Sequence, residues 1–177
     1  MSEKKKASVK SEVFSWIKVV ISAIVIALFV DFVIIANAVV PTGSMESTIP
    51  AGSRIVGFRL YYMIKEPQRG DIVIFKYPDD EKVDYLKRII GLPGETVEIV
   101  SGKVYIDGEL LDEPYLDEEP TGDFGPYKVP EDSYFMLGDN RAVSKDSRYW
   151  DNTYVRKDKL IAKAFFMYWP SFKWLGD

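Results

Sequence analysis

From Val19 to Val30 the chain carries no charged residue, and its apolar character reaches back through Val13, Phe14 and Trp16. As one helix, residues 13–30 would span ~27 Å, close to the ~30 Å hydrocarbon core of a bilayer. Such a run needs either lipid or a core large enough to wrap it, so it limits the architecture more than any other stretch. The first 18 residues hold five lysines (Lys4, Lys5, Lys6, Lys10 and Lys18) against Glu3 and Glu12, a charge of +3. The rest holds 18 basic and 25 acidic side chains, a charge of −7. This bias predicts a basic cytoplasmic segment over 1–12, one transmembrane anchor over 13–31, and an extracytoplasmic body over 32–177, in the cell membrane. Lys18 can snorkel, and Trp16 suits the interface. Asp31 would cost roughly 2.5–3.5 kcal/mol at mid-membrane. It is therefore placed at the outer edge, with Phe32–Val40 read as a strand beyond it. A buried core helix is a second reading, against which the lysine cluster argues. A signal peptide cleaved after Ala36-Asn37-Ala38 is a third, against which the continued apolar run past Asp31 argues.

The body reads as β. With 47% hydrophobic and 14% aromatic residues the chain as a whole can build a core without disulfides, since there is no cysteine. Its acidity argues against a nucleic-acid partner. Strands are predicted at Arg54–Phe58, Asp71–Phe75, Val83–Ile90, Thr96–Val100, Lys103–Ile106, Glu109–Leu111, Ser133–Leu137 and Leu160–Trp169. Ser101-Gly102 and Asp107-Gly108 are hairpin signals. The unbroken apolar centre of Asp71–Phe75 implies burial on both faces. Residues 112–132, rich in proline and acid, read as a long loop or small lid. The run Asp117-Glu118-Glu119 reads as solvated surface, because a linear acidic run does not guarantee converging oxygens. The tail Trp169–Trp174 suits either a membrane surface or the sheet edge.

The chain has no histidine and no cysteine. A Ser-His-Asp triad, a thiol nucleophile and a His/Cys zinc site are all excluded. No metal or cofactor is expected. Any hydroxyl nucleophile must be activated by another base, and lysine is the available one. Pro41-Thr42-Gly43-Ser44-Met45 is by composition only a turn. Ser44 fits neither of two common serine motifs. S-x-x-K needs a lysine where Ser47 stands, and G-x-S-x-G needs glycines where Thr42 and Glu46 stand. Lys87 lies between Tyr85-Leu86 and Ile89-Ile90 on an apolar strand. If buried, its amine loses charge and becomes a base; reaching neutrality near pH 7.4 takes ~3 pH units, or roughly 4 kcal/mol. Spacing alone does not pair it with Ser44.

Four segments, in order, resemble bacterial type I signal peptidases. They are Pro41–Met45, Arg69-Gly70-Asp71-Ile72-Val73, Lys87–Glu95, and Gly138-Asp139-Asn140-Arg141 running on to Ser144–Arg148. The resemblance covers nearly the whole chain and is nearest the compact single-span form. It implies a mainly β, antiparallel two-sheet catalytic domain behind one transmembrane helix, shared in its peptidase core with self-cleaving repressors. It implies a membrane-bound serine endopeptidase that removes signal peptides from secretory preproteins beside the translocon and the lipid surface. In that reading Ser44 is the nucleophile and Lys87 the general base. The Ser44 N–H and the Thr42 hydroxyl form the oxyanion hole. Ser144 hydrogen-bonds the lysine, Asp146 and Arg148 pair, Asp139 and Arg141 hold the neighbouring turn, Arg88 is structural, and Met45 shapes the pocket for a small residue. Three positions depart from the family pattern: Ser47 replaces a usual proline, Ala142-Val143 a polar pair, and Asp31 a basic residue. Alternatives are a peptidase dedicated to a pilin or one surface protein, and a binding module whose site has decayed.

Overall fold

The computed structural model describes residues 2–118 and 120–176, and for 2–11 only the course of the helix. The side chains of Lys4, Lys5, Lys6 and Lys10, and the whole of Glu119, lie outside the described residues. The chain divides into two compact units, Met1–Ile35 and Ala36–Asp177.

In the first unit, helix α1 (Ser2–Phe29) continues into a π-helical turn, Val30–Ile34. Strand β1 starts only at Ile35, so the strand expected over Phe32–Val40 is shorter, Ile35–Val39. The reason is local: no glycine or proline interrupts the chain between Asp31 and Pro41, and an established helix propagates until something stops it. The stretch Glu12–Ile34 is 23 residues long, with a mean hydropathy of 2.7 in its 18-residue window, long and apolar enough to cross a membrane. From Val13 on, the large apolar side chains of this helix, Phe14, Trp16 and Phe29 among them, are exposed.

The second unit is mainly β. Its large sheet runs β1–β2 (Arg54–Phe58)–β11 (Leu160–Trp169)–β3 (Ile72–Tyr77)–β4 (Asp80–Gly91)–β9 (Ser133–Leu137)–β10 (Val155–Arg156), with β12 (Lys173–Trp174) also paired to β11. The small sheet runs β7 (Glu109–Leu110)–β6 (Lys103–Ile106)–β5 (Thr96–Val100)–β8 (Phe124–Lys128). The pairs from β2 onward are antiparallel. Both hairpin signals are realised: Ser101 and Gly102, then Asp107 and Gly108, all take positive φ, as a two-residue turn with matching twist requires.

Strand β3 shows why its centre is apolar throughout. Ile72 and Ile74 enter one core cluster with Met45, Ile49 and Ile55. Val73 and Phe75 enter another, with Ile89, Met136 and Trp150. A third cluster joins the sheets through Ile90, Val97, Phe135 and Leu137. Residues 112–132 are not simply a loop, because β8 lies inside them. β8 is an edge strand, a place where a proline such as Pro126 is tolerated. Asp117 and Glu118 are exposed, as a solvated run would be. The tail packs on the sheet edge, with Phe172 against Phe166 and Trp174 against Phe165. Trp169, Phe172 and Trp174 nonetheless stay more than half exposed.

Candidate active site

The chain leaves β1 through Pro41 and makes one 3₁₀ turn, Gly43–Met45. Met45 anchors that turn: it is fully buried in the core, and its carbonyl accepts the Ile49 N–H at 2.7 Å. Fixing Met45 below presents Ser44 above. Met45 itself does not line the cleft, contrary to the pocket role expected of it. Its apolar side chain is worth more in the core than at a half-open wall.

Lys87 stands on β4 opposite Val73. Its side chain is buried, 4% exposed, and its Nζ lies 2.7 Å from Ser44 Oγ. Nζ also donates to the Leu86 carbonyl at 3.0 Å and lies 5.4 Å from the Tyr85 ring centroid. Burial pushes the amine down to about 8 from 10.5, while the Asp146 and Asp139 carboxylates act in the opposite sense. Lys163 offers a contrast. It too is buried, but its Nζ sits 2.6 Å from Asp71 Oδ1, which also leaves Asp71 accepting from Tyr62. Lys87 touches a hydroxyl instead.

The Thr42 hydroxyl lies 3.4 Å from Ser44 Oγ. A cleft of about 560 Å³ opens beside the pair, walled by Ala38, Val40, Ile55, Ile74, Leu86 and Val143 among others. Such a volume, mostly apolar with a few converging polar groups, suits a short extended peptide segment.

The turn 138–141 lies against the nucleophile, with Asn140 N–H donating to the Ser44 carbonyl at 3.1 Å. Asp146 and Arg148 pair as expected, at 2.8 Å. Asp139 and Arg141 both belong to the turn, but their ion-pair partners come from elsewhere. Asp139 takes both ends of the Arg88 guanidinium, at 2.9 and 2.6 Å. Arg141 donates to the Gly138 carbonyl at 2.9 Å and pairs with Glu113. Arg88 also donates to the Gly70 carbonyl, which ties the turn to the Arg69–Val73 motif. Ser144 is buried beside the pair, yet its Oγ makes no hydrogen bond, so the expected bond to Lys87 is not formed. Lys87 spends its donors on Ser44 and Leu86 instead. Of the departing positions, Val143 is exposed on the cleft wall, and the Ser47 hydroxyl reaches the Tyr115 carbonyl at 3.3 Å. Glu113 and Tyr115 are the participants that sequence reasoning missed.

A serine hydroxyl and a buried amine in hydrogen-bond contact beside a mostly apolar cleft are the arrangement that a Ser-Lys hydrolase requires. The family described as signal peptidase, peptidase S26, matches residues 13–169, and the chain belongs to that family of serine endopeptidases. It is 36% identical over 174 residues to the probable signal peptidase I-2 of Synechocystis, covering 96% of this chain and 79% of that protein. It is 38% identical over 180 residues to a signal peptidase I of Bacillus licheniformis, covering 96% of each. The crystal structure of a signal peptidase I from Enterococcus faecalis is similar with a TM-score of 0.50 at 40% identity, over 56% of this chain and 97% of that one.

Proposed function

We propose that this chain removes signal peptides from secreted preproteins, with Ser44 as nucleophile and Lys87 as general base. The observation that carries the reading is the 2.7 Å contact between a buried amine and a serine hydroxyl. The neutral amine takes the hydroxyl proton while Oγ attacks the carbonyl carbon of the scissile peptide. The resulting oxyanion is held by the Ser44 N–H, which as an early amide of a helical turn has no acceptor within it, and by the Thr42 hydroxyl. The ammonium then protonates the leaving amine, which frees the mature chain. Water, deprotonated by Lys87, releases the signal peptide from the acyl-enzyme. The apolar run 12–34 would hold the enzyme in the membrane where such preproteins emerge. The basic N-terminus and acidic body favour a cytoplasmic start and an outer catalytic unit. Proximity to the translocon and contact with lipid follow from that topology.

The direct test is incubation of the purified chain in detergent with a preprotein carrying small residues before its cleavage point. One new N-terminus at that point is expected. An intact preprotein, or cuts scattered elsewhere, would remove the assignment.

Two expectations follow from the same geometry. Activity should rise with pH, half-maximal near the Lys87 value of about 8. A rate that stays constant from about pH 6 to 9 would exclude this lysine as the base. Thr42→Val should lower kcat by about 10²-fold with little change in KM, and Thr42→Ser should restore most of it. Equal kcat for all three would leave the Thr42 hydroxyl without a role in the transition state.

A further inference from the structure

Residues 112–118 lie outside all four motifs, yet two of them grip the turn behind the nucleophile. The Glu113 carboxylate accepts from Arg141 Nη2 at 2.5 Å and Nη1 at 3.1 Å, and from the Tyr115 hydroxyl at 2.5 Å. The Arg141 and Glu113 side chains are 4% and 7% exposed. The Tyr115 ring lies against the Arg88 guanidinium, 3.9 Å from its carbon, while Arg88 chelates Asp139. One short segment therefore touches both arginines that brace residues 138–141. The Asn140 N–H of that turn meets the Ser44 carbonyl, and the Gly138 carbonyl receives Arg141 Nε.

A buried bidentate ion pair is poor evidence of added stability, because desolvation offsets most of its Coulomb gain. What it supplies is a fixed direction, since a planar guanidinium and a planar carboxylate match in few orientations.

We propose that Glu113 and Tyr115 are positioning residues for the nucleophile, holding the 138–141 turn in register with Ser44 through Arg141 and Arg88. This rests on the reading of Ser44 and Lys87 as the reacting pair. It also has an electrostatic consequence. The charged and titratable groups around Lys87 are Tyr85 on its own strand and Asp139 and Asp146 across from it. Those two carboxylates are held by Arg88 and Arg148, and Asp84 and Lys145 stand on the cleft wall. Asp146 also acts on Arg141 at long range. Without Glu113, the buried Arg141 charge turns to Asp139 and Asp146 for compensation. Lys87 then loses part of the field that helps it keep its proton, and the acid limb of its pH profile moves to lower pH.

The test compares parent, Glu113→Gln, Arg141→Lys, the Glu113→Gln/Arg141→Lys double variant, Tyr115→Phe and Ser44→Ala, all as full chains in detergent. It measures kcat and KM on a preprotein across pH, with thermal unfolding alongside. Glu113→Gln keeps shape and one acceptor, so it disturbs the fold less than alanine would. It should lower kcat by about 10- to 100-fold with KM nearly unchanged, the scale expected for small misplacement of reacting groups. Its acid limb should fall below that of the parent. Arg141→Lys should match it, the double variant should be no worse than either single one, and Tyr115→Phe should be milder. A Glu113→Gln enzyme with parental kcat and an unshifted acid limb would overturn the proposal, even if its unfolding temperature drops. Ser44→Ala separates the two readings: if that variant still cuts, the site assignment itself is wrong, whatever Glu113 does.

Discussion

Ser44→Ala and Lys87→Met should each reduce preprotein cleavage by on the order of 10⁴- to 10⁶-fold, with the double variant no slower than either single one. Two groups that act in one proton transfer are lost together when either goes, so the effects do not add. Both variants should fold, and Lys87→Met should be the more revealing. In the folded chain the amine titrates near 8, below its ordinary 10.5. Below pH 8 the ionised amine therefore costs the fold ~3 kcal/mol. Between those two pH values the unfolded chain still binds a proton that the folded chain has released, so parental stability rises with pH and the cost vanishes above the upper value. Lys87→Met should accordingly unfold at a higher temperature than the parent at neutral pH, with the difference closing toward pH 10.5. A variant that is inactive and also less stable at pH 7 would mean that the lysine contributes to packing rather than bearing a cost for chemistry.

That cost explains which parts of the site are legible in sequence and which are not. Strands Thr96–Val100 and Lys103–Ile106 have the predicted ends because alternation and a two-residue turn are local signals. β8 is hidden because Gly125 and Pro126 are poor strand residues, acceptable only where the sheet ends. The helix runs on past Asp31 because one acid at a boundary is weaker than helical continuation. Lys87 can be marked as unusual from its apolar neighbours, but its distance from Ser44 depends on the packing of β4 against the 3₁₀ turn, 43 residues away. The Arg88 and Arg141 charges are visible in sequence, whereas their partners Asp139 and Glu113 are chosen by the fold, 51 and 28 residues away. Pairing between charges that distant carries no periodic signal, so the motif read alone leaves Glu113 in an undistinguished acidic stretch.

Gly138→Ala should damage activity out of proportion to its single added methyl. Gly138 follows β9, its N–H donates to Asp146 at 3.1 Å, and its carbonyl receives Arg141. Here the requirement is space. A Cβ would stand 2.4 Å from the Ser44 carbonyl oxygen, 2.2 Å from Ser144 Oγ and 2.7 Å from Ser144 Cβ. The Ser44 carbonyl is backbone and accepts the Asn140 N–H, so it cannot swing aside as a long side chain would. The turn must back away from the nucleophile, at an overpacking cost of about 1–3 kcal/mol. A displacement approaching 1 Å at Ser44 costs about 10²-fold in rate, so kcat should fall at least that far in a protein that still folds. Gly108→Ala is the control. Gly108 has φ of +87° but nothing within 4 Å of its would-be Cβ, so alanine there meets backbone strain without a clash. It should lose about 1 kcal/mol of stability and keep parental kcat. If Gly138→Ala instead cut preprotein as fast as Gly108→Ala, the contact between the 138–141 turn and Ser44 would not govern the position of the nucleophile, and the bracing of that turn by Arg88 and Arg141 would bear on stability alone.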